Sequence, residues 1–111
     1  MKLLIAIVSK EDRDETERVL TDEGFMLTEM GSTGGFLRKK SVTLLIGTPA
    51  EKVGRAKELI KHTAGKRPLK TYQSHQSPAG NAMSNSYSVP VETQIGGCTV
   101  FEIDASSMSK Y

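Results

Sequence analysis

The sequence is poor in cysteine and aromatics: one Cys, no Trp, three Phe and three Tyr in 111 residues. With Cys98 alone no internal disulfide can form, which fits a reducing compartment. One Cys and two unpaired histidines, His62 and His75, give no metal-ligand spacing, so no metal site is expected. Long apolar runs are missing too, and nothing approaches the ~20 residues of a membrane helix. The opening run Leu3–Val8 falls short of the ~7–15 residues of a signal-peptide core. Charged Lys10-Glu11-Asp12-Arg13 follows it instead of a small-residue cleavage site. It reads as a strand, and the expectation is a cytoplasmic protein with no membrane partner. An excess of one charge is also absent: 15 basic against 13 acidic residues leave a net +2, too balanced to argue for nucleic acid. No nucleophile, base and orienter pattern appears, so no enzyme is expected.

What remains is an ordinary globular composition, 37% hydrophobic and 25% charged, in a length suited to one domain, residues 1–111. Leu3–Val8 is apolar on both alternating faces, the mark of a strand covered on both sides. Ser9 is placed to cap a following helix, with Asp12 at the capping-box position and Gly24 as its left-handed stop. The apolar face of that helix is thin, mainly Val19 and Leu20, and Asp12, Asp14, Glu15 and Glu17 read as a solvated face. Phe25–Thr33 and Val42–Ile46 read as strands. Thr48-Pro49-Ala50-Glu51 predicts a helix start, with Thr48 as cap and Pro49 first in the helix. Val53, Ala56, Ile60 and Thr63 follow at helical spacing, and Gly65 ends the helix. His62 lies late in it, where a cation suits the dipole.

Residues 66–88 show no clear period and predict a long loop, of the kind that is functional or disordered. Val89–Ile95 alternates like a strand, and Gly96-Gly97 predicts a two-residue hairpin turn into the returning strand Cys98–Ile103. Residues 104–111 form a polar tail. The order is strand, helix, strand, strand, helix, strand, strand. It predicts an α+β fold: a ferredoxin-like double split βαβ sandwich with an added C-terminal β-hairpin strand. Two helices cover one sheet face, and the apolar uncovered face predicts an oligomer.

Phe25 to Ser41 carries the most information. Adjacent Gly34 and Gly35 permit close backbone approach to a ligand. Phe36 can stack on a base, and Arg38-Lys39-Lys40 can neutralise phosphates. Together they suggest a nucleotide site. Each also has a plainer reading: a turn for the glycines, interface core for Phe36, and a solvated loop tip for the three cations, which is the preferred reading there. Met26 and Met30 can be packing residues.

The chain resembles the PII-like cyclic di-AMP receptor family (PstA/DarA type) over nearly its whole length. Lys2–Val8 resembles the family's opening strand, and Thr33-Gly34-Gly35-Phe36-Leu37-Arg38 its most specific motif. Ser77-Pro78-Ala79-Gly80-Asn81 resembles its Ser-Pro-Met-Gly-Gly loop. Pro90-Val91-Glu92 and Gly96–Phe101 resemble its closing hairpin, with Cys98 where Ala is usual. The resemblance implies a PII-like homotrimer with a nucleotide site in each cleft between subunits, and no cofactor. It also implies loops, here about 38–41 and 66–88, that reorder on binding and signal to a downstream protein partner. By position, Thr28 would hydrogen-bond the ligand, Gly35, Phe36 and Leu37 would wall the base, and Gly47 would allow close approach.

Three positions depart from the family pattern. Met26 stands where Arg is usual, Ser41 where Asn is usual, and Ser109-Lys110-Tyr111 where a Gln-bearing end can touch the ligand. A thioether cannot replace a guanidinium contact, and such a loss costs about 1.5–3 kcal/mol. Lys110 or Lys39 can restore charge without the planar fork. The alternative is therefore a trimer of the same fold that does not bind cyclic di-AMP and acts through another nucleotide or protein partners only. A single-strand RNA reader needs aromatics on central strands beside basic neighbours, and only Phe25 and Phe101 are offered. An acylphosphatase-type site needs an Arg and an Asn around a phosphate, where the first loop offers Ser9 and Lys10.

Overall fold

The computed structural model of the chain describes residues 1–31, 40–75 and 87–111. Strand β1 is Lys2–Ser9, and its alternation sorts its residues cleanly. Leu4, Ala6 and Val8 are buried under the helices, while Leu3, Ile5 and Ile7 lie half-buried on the opposite face. A turn of 3-10 helix, Lys10–Asp12, leads into α1, Arg13–Asp22. Gly24 ends this unit with φ +85°, as its sequence position predicts. The Ser9 hydroxyl makes no capping hydrogen bond, because Ser9 is still the last residue of β1.

Strand β2 is Met26–Met30 and β3 is Ser41–Thr48. Helix α2, Val53–Ala64, follows a 3-10 turn at Ala50–Lys52. The expected Thr48 cap is not formed. Thr48 is fully buried at the end of β3, and its hydroxyl donates to the Pro49 carbonyl at 3.2 Å. Gly65 ends α2 with ordinary extended backbone, its N–H donating to the Lys61 carbonyl at 3.0 Å.

Strand β4, Arg67–His75, runs through the segment expected to be loop. It pairs antiparallel with β5, Tyr87–Ile95, from Arg67 opposite Ile95 to His75 opposite Tyr87. Strand β6, Thr99–Asp104, closes the main sheet. The main sheet has the order β2-β3-β1-β6, while β4 and β5 form a sheet of their own. The βαββαβ body is thus completed by β6, consistent with a ferredoxin-like fold. The expected hairpin between the last two strands is corrected: β5 pairs with β4, and β6 pairs with β1. Gly96 and Gly97, at φ +76° and +107°, turn the chain from one sheet into the other.

The core lies between the helices and one sheet face. Leu4, Ala6, Val8, Val42, Leu44 and Ile46 meet Leu20 of α1 and Val53, Ala56, Ile60 and Ala64 of α2. Between the helices, the hydroxyls of Thr16 and Thr63 hydrogen-bond at 2.8 Å. The solvated acidic face expected of α1 holds for Asp14 and Glu15 but not for Asp12 and Glu17. Asp12 is only 8% exposed, in an ion pair with Arg67 at 2.6 Å. Glu17 is half-buried with a buried, unpaired Oε1.

Candidate functional site

The face of the sheet away from the helices is built by strand register. Met26, Gly47, Leu3 and Ile103 lie in one row across the four strands. Thr28, Leu45, Ile5 and Phe101 form the next, and Met30, Thr43, Ile7 and Thr99 the third. These side chains alternate with the core residues, so the whole row system stands on the open side. Met26, Met30, Phe101 and Ile103 are exposed there, with Phe101 at 53%.

The chain end after β6 folds back over one corner of this face. The Ala105 N–H donates to the Met1 carbonyl at 3.2 Å and fixes where the tail begins. Further on, the Met108 sulfur sits 3.6 Å from the point a Cβ on Gly47 would occupy. The Lys110 ammonium donates to the Met26 sulfur at 3.6 Å. Gly47 thus leaves room for the tail, and Met26 offers it a soft, polarisable contact.

A groove of about 720 Å³ opens beside these residues, at the β2 edge of the sheet. Its lining includes Met26, Thr28 and Gly47 from the strands, Met108 and Lys110 from the tail, and Glu17 and Thr21 from α1. Four of the residues singled out from sequence, Met26, Thr28, Gly47 and Lys110, therefore share one groove. Ser41 lies at the far end of β3, opposite Ser9, and is not among the residues that line it. Gly35, Phe36 and Leu37 lie outside the described residues, as do the Thr33–Arg38 motif, Lys39 and the Ser77–Asn81 loop.

Sequence reasoning missed Leu3, Leu45, Met108 and Glu17 as groove residues. Strand alternation across from Gly47 and Thr28 points to Leu3 and Leu45. No local signal marks Met108, which sits in a stretch that reads as polar tail.

Electrostatically the groove is mixed. Among the described lining residues Lys110 is the cation and Glu17 the acid. Burial pushes the Glu17 carboxyl above its ordinary range, and the neighbouring Glu29 carboxylate adds to this. Glu29 is itself paired with Arg13 at 3.3 Å. The arrangement offers apolar walls, a strand hydroxyl at Thr28 and one mobile-stem cation.

Cys98 packs against the core, and burial raises its thiol pKa, which makes it a poor nucleophile. Among the described residues no group of three or more His, Cys, Asp or Glu could hold a metal ion. Among them, too, no helix is long and apolar enough to cross a membrane.

A solved structure of similar fold is a protein from Pediococcus pentosaceus ATCC 25745, described as functionally unknown. It is 27% identical, with a TM-score of 0.74, and the match covers 99% of this chain and 96% of that one. Among protein families, the cyclic-di-AMP receptor family matches residues 1–111. With its whole length so matched, the chain belongs to the cyclic-di-AMP receptor family.

Proposed function

We propose that the protein is a signal-transduction protein that binds cyclic di-AMP or a related adenine nucleotide and catalyses no reaction. The observation that carries this reading is the convergence of Met26, Thr28, Gly47 and Lys110 on one groove. Its volume, about 720 Å³, suits a small-molecule ligand, for which sites run ~300–1,000 Å³. Thr28 would hydrogen-bond the ligand and Gly47 would let it approach the sheet. Gly35, Phe36 and Leu37 would supply the base-stacking wall, and Ser41 would contribute from the start of β3.

The site would be completed by a homotrimer. Support comes from the open sheet face, where Leu3, Ile5, Leu45 and Phe101 lie side by side on the side away from α1 and α2. An apolar sheet face of this kind is stable in water when another subunit covers it. The β4–β5 arm and the segment before Ser41 would be the parts that change on binding and meet a downstream protein partner. The balance of charge supports a reading without nucleic-acid partners, and the location in this reading is cytoplasmic, with no membrane partner.

The test is a calorimetric titration of cyclic di-AMP into the purified protein, with cyclic di-GMP, ATP and AMP alongside. Saturable binding near one ligand per subunit, weakened at least tenfold by Phe36→Ala or Thr28→Val, is expected. Failure of all four nucleotides to bind would overturn the reading. A second reading is a trimer of the same fold that answers to another nucleotide or to protein partners only. Met26 favours it, since a thioether on the groove wall offers no charge-assisted hydrogen bond to a phosphate. Binding of ATP or AMP in place of cyclic di-AMP would select it.

A further inference from the structure

The β4–β5 arm meets the body at a joint built around one guanidinium. Arg67, the first residue of β4, donates from Nη2 to Asp12 Oδ1 at 2.6 Å. Its Nη1 donates to the Gly65 carbonyl at 3.0 Å, and to Asp12 Oδ2 and the Thr63 carbonyl at 3.4 Å. The other strand of the arm returns to the same place. The Gly97 N–H, just past β5, donates to the Ala64 carbonyl at 2.9 Å. The last two carbonyls of α2, those of Thr63 and Ala64, are thus taken up by the two ends of the arm. Gly96 is pressed into the joint: a Cβ there would lie 2.5 Å from the Gly65 carbonyl oxygen and 2.6 Å from Arg67 Nη1.

Asp12 ties this joint to the start of β3. It ends the 3-10 turn Lys10–Asp12, whose first residue donates its N–H to the Lys40 carbonyl at 3.1 Å. Lys40 immediately precedes Ser41, which pairs with Ser9. Hydrogen bonds at each end and the covalent backbone of the turn between them therefore link the start of β3 to the base of the arm.

We infer that Arg67 is a positioning residue: it fixes the arm on the turn Lys10–Asp12 and couples the arm to the backbone at Lys40–Ser41. The inference rests on the proposed function for the arm's role as output. Its physical content is independent of any ligand. A two-stranded ribbon is marginally stable alone, so the order at the arm's base depends on the joint. A buried carboxylate that loses its guanidinium must find water or move, and the turn carrying it moves too. Coupling of this kind is reciprocal, so disturbing the arm's base registers at Lys10, and a change at Lys40 registers in the arm.

The test is hydrogen exchange, read by NMR or mass spectrometry, on the ligand-free full chain and on Arg67→Lys and Asp12→Asn. Lysine keeps the charge and loses the fork, and asparagine keeps the shape of Asp12. Two regions are expected to exchange at least tenfold faster in both variants: 67–69 with 93–95, and the Lys10 amide. The central amides of β1 and β3 should be unchanged, which excludes general unfolding. A loosened arm with Lys10 unaffected would overturn the coupling, and no change in either would overturn the joint. Calorimetry with cyclic di-AMP on the wild-type chain keeps the two readings apart. Absence of binding there overturns the ligand and leaves the joint to the exchange result.

Discussion

The two faces of the main sheet are made by alternate residues of the same strands, yet they have opposite fates. On one face Leu4, Ala6, Val8, Leu44 and Ile46 are buried by α1 and α2. On the other, Leu3, Ile5, Leu45 and Phe101 are nearly as apolar and face away from α1 and α2. The first face finishes a fold within the chain. The second is apolar beyond what the isolated chain requires, and its only intramolecular cover described is the tail seated on Gly47 and Met26. Burial on one side thus decides folding, and the other side is the face that the proposed function assigns to association and ligand contact.

Substitutions on each face would separate those roles. Leu44→Ala, at a fully buried position, should cost about 2–5 kcal/mol of stability by denaturant titration. A loss well under 1 kcal/mol would mean that the helix-covered face is not the core. Phe101→Asp should leave helix content intact while sedimentation shows monomers in place of the proposed trimer. An unchanged assembly would place the subunit contact elsewhere.

A smaller effect is expected between the helices. Thr63 already donates to the Leu59 carbonyl at 3.0 Å, so Thr16 is the donor of the Thr16–Thr63 bond. Thr16→Val removes that bond without changing shape and should cost about 1 kcal/mol, measured by thermal melting.

The smallest effect concerns Glu17, whose carboxyl is raised mainly by burial. The folded state therefore holds this proton at pH values where the unfolded chain has released it. Stability from this group is full below the ordinary carboxylate range and declines as pH rises through the raised value. Glu17→Gln should flatten that decline in a series of melts at increasing pH. A slope identical to wild type would show that another group sets it.

Much of this contrast is legible in the sequence, because alternation and glycine placement are local. The apolar run at Leu3–Val8 announces a strand with two apolar faces, and Gly24 announces the stop after α1. Contacts between distant residues are not legible. Gly96-Gly97 signals positive φ correctly, but the partner of β5 is β4, and nothing in a two-glycine turn says which neighbouring strand will pair. Arg67–His75 lacks the alternation of a half-buried strand, since among the described residues it pairs with β5 alone, outside the main sheet. Asp12 looks like one acid among several on a helix start, and only Arg67, 55 residues away, makes it a buried partner. In the candidate site the strand residues Thr28 and Gly47 were within reach of sequence. Met108 was not, because its place on the groove depends on the path of the tail.

The hydrogen bond between the Gly97 N–H and the Ala64 carbonyl also says something about how this protein could vary. The chain leaves the body after α2 and re-enters it before β6 at points in direct contact, 2.9 Å apart. The arm is therefore an excursion with closed ends. The β2-β3-β1-β6 sheet and its helices would stay geometrically complete if the excursion were lengthened, shortened or exchanged for a short bridge. Changes of that kind should leave the core in place, provided each new arm still brings a guanidinium, or some substitute, to Asp12.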